Sequence, residues 1–151
     1  MRALIFSDSH GSIKSMADII DREENIDLII HAGDVNDDCL ALMKLYPDKN
    51  ITFVRGNNDY FAEDVPFDRI FTFGKKRIFL THGHKYGVKI NPYKVYLKAR
   101  ENKADICIFG HTHSRYLECE DGIWLFNPGS ARSSAGLLEV SNDEIKLLFL
   151  Y

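Results

Sequence analysis

Three nearly unbroken apolar runs, RALIFS at 2–7, DLIIHAG at 27–33 and NITFVRG at 50–56, do most to limit the folds open to this chain. A run without polar alternation belongs to a strand covered on both faces, as in a parallel sheet. Between the first two runs, Ile13, Met16, Ala17, Ile19 and Ile20 fall on one helical face, with Ser12 placed to cap the helix. Between the second and third, Leu40, Leu42, Met43 and Leu45 mark another helix that stops near Pro47. The order β-α-β-α-β predicts a mainly parallel sheet with right-handed crossovers.

The second half reads differently. DRIFTFG (68–74) and KRIFLTH (76–82) suggest a hairpin around Gly74. A helix from about Tyr93 to Asn102 leads into DICIFG (105–110). RYLECE, IWLFN, GLLEV and EIKLLFLY follow as strands, separated by the turn formers Asp121-Gly122 and Asn142-Asp143. The whole is an α/β chain with a mixed β-rich core, two packed sheets and flanking helices. Its 151 residues suit a single domain over 1–151.

What terminates these strands carries the chemistry. The first ends in Ser7-Asp8-Ser9-His10, the second in Gly33-Asp34 and the third in Gly56-Asn57-Asn58-Asp59. The strand at 76–81 ends in Thr81-His82-Gly83-His84, and that at 105–109 in Gly110-His111-Thr112-His113. In open α/β sheets ligands bind beyond the carboxyl ends of strands, so groups spread over a hundred residues can converge there. Each motif alone is ordinary turn chemistry. Together they take five of the six histidines in the chain, which chance does not explain.

Asp8, His10, Asp34, Asn57, His82, His111 and His113 mix imidazole, carboxylate and one amide oxygen without any thiolate. That argues against a structural zinc site and suits manganese, iron, nickel or zinc. Seven ligands are too many for one tetrahedral ion and fit two, for which a carboxylate must bridge; Asp34 is the candidate. Cys39, Cys107 and Cys119 are odd in number and widely spaced, so neither a disulfide framework nor a CxxC site is expected.

Taken together, Asp8-x-His10, Gly33-Asp34, Gly56-Asn57-Asn58-Asp59, His82-Gly83-His84 and Gly110-His111-Thr112-His113 resemble the calcineurin-like metallophosphoesterases. The short length and Asn127-Pro128-Gly129-Ser130 are similar to the small YfcE-type prokaryotic phosphodiesterases. The resemblance runs from Met1 to about Ser130. It implies a four-layer αββα sandwich with two mixed β-sheets. It also implies that Asp8, His10 and His113 hold one ion, Asn57, His82 and His111 the other, and Asp34 bridges. The expected reaction is hydrolysis of a phosphate ester by a hydroxide bridging two divalent ions, manganese first among them, with Asn57 also contacting the phosphoryl group.

One departure bears on the leaving group. Many relatives carry histidine after the asparagine of the GN motif, where this chain has Asn58, and an amide cannot act as a general acid. That tilts the expectation towards diesters. His84 is a substitute acid or, as a commoner role, a structural histidine. Asp59 is expected to orient its loop, and His31 to be a buried supporting histidine. Arg132, after the NPGS turn, is a candidate substrate contact or a solvated surface residue. Lys85, Tyr86 and Lys89 could line the mouth of the site.

Competing functions remain at this point: a phosphomonoesterase, a nuclease, or a catalytically weak scaffold like the retromer-coat subunit that resembles this fold. The net charge of -3 and the lack of a basic stripe weigh against a nucleic acid polymer as partner. A complete ligand set weighs against the scaffold. No apolar stretch reaches the length of a membrane span, and a cytoplasmic protein acting on a small phosphate ester is expected. Phe61, Phe67, Tyr93 and Tyr96 are candidates for a homodimer patch.

Overall fold

The computed structural model describes residues 1–151. Strand β1 (Arg2–Phe6), helix α1 (Ile13–Arg22), β2 (Leu28–His31), α2 (Asn36–Leu45) and β3 (Ile51–Phe53) form the expected alternating half. Then come β4 (Asp68–Phe73), β5 (Lys76–Thr81), a 3-10 turn (His84–Tyr86), α3 (Tyr93–Glu101) and β6 (Ile106–Ile108). The chain closes with β7 (Arg115–Glu120), β8 (Ile123–Pro128), β9 (Ala135–Ser141) and β10 (Glu144–Leu150).

Two five-stranded sheets result, ordered β10-β9-β1-β2-β3 and β4-β5-β6-β8-β7. In the first, β1, β2 and β3 are parallel, and β9 and β10 add antiparallel neighbours. In the second, β5, β6 and β8 are parallel between two antiparallel edges, β4 and β7. The β4–β5 hairpin is the one expected around Gly74.

The unbroken apolar runs are explained by the layers. Ala3 and Ile5 of β1 pack into the core between the sheets, while Leu4 and Phe6 pack under α1 and α2. Likewise Ile78, Leu80, Ile106 and Ile108 face the central core, and Phe79 and Cys107 face α3. Successive side chains in a strand point to opposite faces, so a strand between two apolar layers must be apolar throughout. The architecture is the αββα sandwich.

Two local expectations need correction. Ser12 stands at the start of α1, yet its side chain makes no capping bond; its backbone carbonyl accepts from Met16 N at 3.2 Å instead. In α2 the inward face is Asn36, Asp38, Cys39 and Leu42, whereas Leu40, Met43 and Leu45 are exposed. That inward face is polar at the end nearest the strand termini, where its groups bond the loops below.

The four aromatics considered for one patch also divide. Phe61 is 98% exposed but Tyr96 is only 3% exposed, its hydroxyl donating to Asp121 at 2.5 Å. Tyr93 and Tyr96 line one cavity and Phe61 another. No helix is long and apolar enough to cross a membrane.

Candidate metal centre

Because β1, β2 and β3 are parallel, as are β5 and β6, their carboxyl ends lie on one side of each sheet. Bonds across the sandwich join these ends. His82, just after β5, contacts the Ala32 carbonyl after β2 through Nδ1 at 2.7 Å. The backbone N–H of His111, after β6, donates to Asp8 Oδ2 at 3.0 Å. Within the first sheet, Asp8 N donates to Gly33 O at 3.0 Å and Ser9 N to Asp34 O at 2.9 Å, so the first two ligand loops are zipped together.

Five of the seven candidates adopt left-handed backbone: Asp8 (φ 52°), His10 (42°), Asp34 (48°), His111 (68°) and His113 (60°). Such conformations cost non-glycine residues on the order of 1–3 kcal/mol each and gather at functional sites. The glycines of the motifs serve by close approach. A Cβ at Gly56 would overlap the Asp34 carboxylate, and one at Gly110 would overlap the Ser7 hydroxyl and come 2.8 Å from Asp8 Oδ2.

The donor atoms converge in two overlapping groups. Asp8, His10 and His113 bring their ligand atoms within 4.8 Å of one another, as do Asp8, Asp34 and His82. Asp8 Oδ1 lies 3.3 Å from His113 Nε2 and 3.8 Å from His82 Nε2. His82 Nε2 is also 3.5 Å from Asp34 Oδ2 and 2.9 Å from Asn57 Oδ1. Thus Asp8 is the residue common to the two groups, whereas Asp34, expected to bridge, belongs to one of them. His111 joins by its ring, 5.1 Å from that of His82 between centroids, and its nitrogens belong to neither group.

Whether this set fits a cation can be judged from its unpaired atoms. Asp8 Oδ1 and His10 Nε2 are buried and have no hydrogen-bond partner. A carbonyl only accepts, so His82 Nδ1 must carry the hydrogen that binds Ala32, which turns Nε2 towards Asp34 and Asn57 as the atom that takes either a proton or an ion. Oxygen and nitrogen lone pairs therefore face each other in a desolvated space, an arrangement costly without positive charge between them. The residues fit one or more divalent ions.

The same demand for positive charge shows in His82 itself: burial works against its charged form, but Asp34 and Asp8 outweigh that and raise it above the ordinary histidine range, so without an ion the positive charge is a proton on this ring. Burial pushes the Asp8 carboxyl above its ordinary range, only partly countered by His82. Burial acts likewise on Asp34, but His82 and two Asn58 bonds outweigh it and hold Asp34 well below the usual carboxylate range. His111 is lowered to about 4 by burial and then by the positive field of His82 and Lys89.

The residues flanking the ligand set are tightly tied. Asn58 donates its backbone N–H to Asp34 Oδ1 at 2.9 Å and its amide to Oδ2 at 2.7 Å. It thus clamps the carboxylate rather than reaching outward. Asp59 accepts from the backbone of Asn36, Gly56 and Asp34, which orients both loops. His84 packs between rings, 5.4 Å from His82 and 5.6 Å from Phe67 by centroid, and its buried Nδ1 has no partner. Arg132 is exposed and lines a groove with Ser15, Asp18, Arg22 and Tyr151, to which none of the seven contributes.

Further groups support this set; His31 was expected among them, and Ser9 and Asp38 were not. His31 is buried; its Nδ1 accepts from Gly33 N at 3.2 Å, so Nε2 carries the hydrogen towards Ser9 Oγ at 3.1 Å. Ser9 in turn donates to Asp38 Oδ2 at 2.6 Å. Burial lowers His31 to about 4, which keeps this chain neutral at the ring. Asn127 donates to Gly110 O and Thr112 Oγ1, and Ser130 donates to Asp8 O at 3.0 Å. The NPGS turn was visible in the sequence, but Asp38 had no signal there, since 29 residues separate it from Ser9.

Known proteins are similar to this chain in sequence and fold. Residues 1–141 match the model of the calcineurin-like phosphoesterase superfamily domain. A probable metallophosphoesterase, YsnB of Bacillus subtilis strain 168, is 36% identical, covering 99% of this chain and 90% of its own length. The phosphodiesterase YfcE of Escherichia coli K12 is 28% identical, covering 99% of this chain and 92% of its own. A crystal structure from Streptococcus pneumoniae TIGR4, described as a conserved uncharacterized protein and predicted phosphoesterase, superposes with a TM-score of 0.78 at 30% identity, covering 99% of this chain and 88% of that one. With Asp, His and Asn at the ends of five strands and a family match over nearly the whole length, the chain belongs to the calcineurin-like phosphoesterase superfamily.

Proposed function

We propose that residues 1–151 act as one catalytic unit, a phosphodiesterase dependent on two divalent ions, manganese being the first choice. The observation that carries this reading is the convergence of oxygen and nitrogen ligand atoms from buried Asp8, Asp34 and His82, half-buried His10 and Asn57 and exposed His113, with Asp8 Oδ1 and His10 Nε2 unpaired. In the proposed division, Asp8, His10 and His113 hold one ion, Asn57, His82 and His111 the other, and Asp34 lies between. When bound, the ions supply Lewis-acid polarisation of the phosphoryl oxygens and a lowered pKa for water.

The chain's own groups do the rest. Asn58 and Asp59 orient Asp34, and the Ala32 carbonyl turns His82 Nε2 inward. The left-handed loops pre-set the donor positions, so little reorganisation is needed on binding. Asn58 offers an amide already engaged with Asp34, so no acid stands at that position to protonate a leaving group. This favours esters whose leaving group departs as a stable anion. The three cysteines are free, which accords with a reducing, cytoplasmic setting.

The test is a panel of phosphomonoesters, linear diesters and cyclic diesters assayed with manganese, nickel, iron and zinc. Turnover of bis-p-nitrophenyl phosphate above that of p-nitrophenyl phosphate is expected. Faster monoester turnover in every metal would overturn the diester preference, and no metal-dependent turnover of any ester would overturn the enzyme reading.

A further inference from the structure

Beside the candidate metal centre a cavity of 220 Å³ opens between the turns after β3 and β5, with Asn57 and His84 in its lining. Arg55, Tyr60 and Phe67 line it as well. The positive charge there is gathered on one ring. Lys85 Nζ lies 3.5 Å from the Phe67 centroid, and the Arg55 guanidinium carbon 4.8 Å from it.

Arg55 is held in place. Its Nε donates to Asp59 O at 2.9 Å, its Nη2 to Tyr60 O at 3.1 Å, and its backbone N–H to Pro66 O at 2.8 Å. The last bond closes the 57–66 loop and so delivers Phe67 to the guanidinium. Neither Arg55 nor Lys85 forms an ion pair. Two of the nearby acids are engaged by hydrogen bonds, Asp68 through Oδ2 alone. Asp59 has its carboxylate on backbone amides, and Asp68 takes the Tyr86 hydroxyl at 2.5 Å. A chain of net charge -3 therefore sets Arg55 in the lining of this cavity and Lys85 on the Phe67 ring that also lines it, neither of them ion-paired.

We propose that the cavity is an anion subsite holding a second phosphate of the substrate, one linkage beyond the ester that is cleaved. The proposal rests on the phosphoesterase reading above and names the substrate class for it. Both cations lie on Phe67, so that ring orients charge and is not an open face for stacking a base. The volume is below the roughly 300–1,000 Å³ of a site for a whole ligand, and suits one group of it. A guanidinium and an ammonium together match a multiply charged tetrahedral anion. Its carrier is either a phosphoanhydride or a molecule phosphorylated at a second position.

Three chromogenic esters separate these cases with the full-length, manganese-loaded protein. They are the 5′-p-nitrophenyl ester of thymidine monophosphate, the same ester with a 3′-phosphate, and the p-nitrophenyl ester of thymidine 5′-diphosphate. At low salt, at least one doubly charged ester should exceed the first in kcat/KM by about fivefold or more, an advantage that salt erodes. In Lys85→Ala and Arg55→Gln that ratio should fall to within about twofold. Reading the ratio within one variant cancels any general loss of rate. Lys94→Ala, exposed on α3, should keep the ratio.

Equal kcat/KM for all three esters, or an advantage that survives both variants, overturns the subsite and leaves the phosphoesterase reading standing. Failure to cleave any of them counts against the reaction instead. Equilibrium dialysis then decides the subsite, since thymidine 3′,5′-bisphosphate should bind more tightly than thymidine 5′-phosphate and lose that margin in Lys85→Ala. No margin, or one that Lys85→Ala leaves intact, overturns it.

Discussion

From the first sheet come Asp8, Asp34 and Asn57, whose oxygen donors sit on short stems; from the second come His82, His111 and His113, whose nitrogens sit on wide rings. Only His10 breaks this division. The oxygens are aimed by N–H and O–H donors: Asn58 on Asp34, and Ser7 and His111 on Asp8. The rings are aimed by a carbonyl and by one another. One of the two donors that orient Asp8, the His111 N–H, comes from the second sheet, and the carbonyl that orients His82 comes from the first. Each sheet positions the other's ligands, so the candidate centre belongs to the sandwich and to neither half.

The sharpest way to break this comparison is to remove one ligand from each half. Asp34→Asn and His82→Ala should each lower kcat/KM on bis-p-nitrophenyl phosphate by about 10³-fold, the order for losing a preorganised electrostatic group. Circular dichroism should stay native. Chelation should reduce the wild type to background, with manganese or nickel restoring it. Wild-type rates in either variant, or full activity after exhaustive chelation, would remove the metal assignment.

Next in size are the glycines that let the loops close. Gly56→Ala pushes on Asp34 and Gly110→Ala on Ser7 and Asp8. A displacement of about 1 Å near a reacting centre can cost about 10²-fold, and each variant should lose rate on that scale. Unequal losses would rank the two halves. Milder still, Asp59→Asn and Asp38→Asn weaken the bonds that hold the Asp34 loop and Ser9. Each should cost about 10–100-fold in metal affinity or activity, seen as a shifted manganese titration at constant fold. Arg132→Ala should be the smallest, within about twofold, because its groove contains none of the ligand set. A tenfold loss there would extend the site beyond the two sheets' carboxyl ends.

Much of the fold was legible because burial on both faces leaves a mark in one dimension. RALIF and KRIFLT could be read as interior strands before any partner was known. Helix α2 was placed correctly but its inward face was not, since Leu40, Met43 and Leu45 suggested an apolar contact where Asn36, Asp38 and Cys39 turn in. Hydrophobic spacing signals helices that bury apolar surface, and it misreads one whose inner end serves a polar network. Asn58 was read as a missing acid, yet its grip on both oxygens of Asp34 was invisible, because that contact spans 24 residues.

The sequence by itself determined which residue types stand at the ends of which strands, and so the donor chemistry and the order of elements. Backbone periodicity and turn composition are local properties, set by residues within a few positions of one another. Only the tertiary structure decided that Asp8 faces both donor groups, that His111 reaches Asp8 through its backbone rather than its ring, and that Arg55 and Lys85 meet on Phe67. Those contacts depend on where two twisted sheets bring their carboxyl ends together. The centre is therefore a consequence of packing, encoded in the chain but not visible along it.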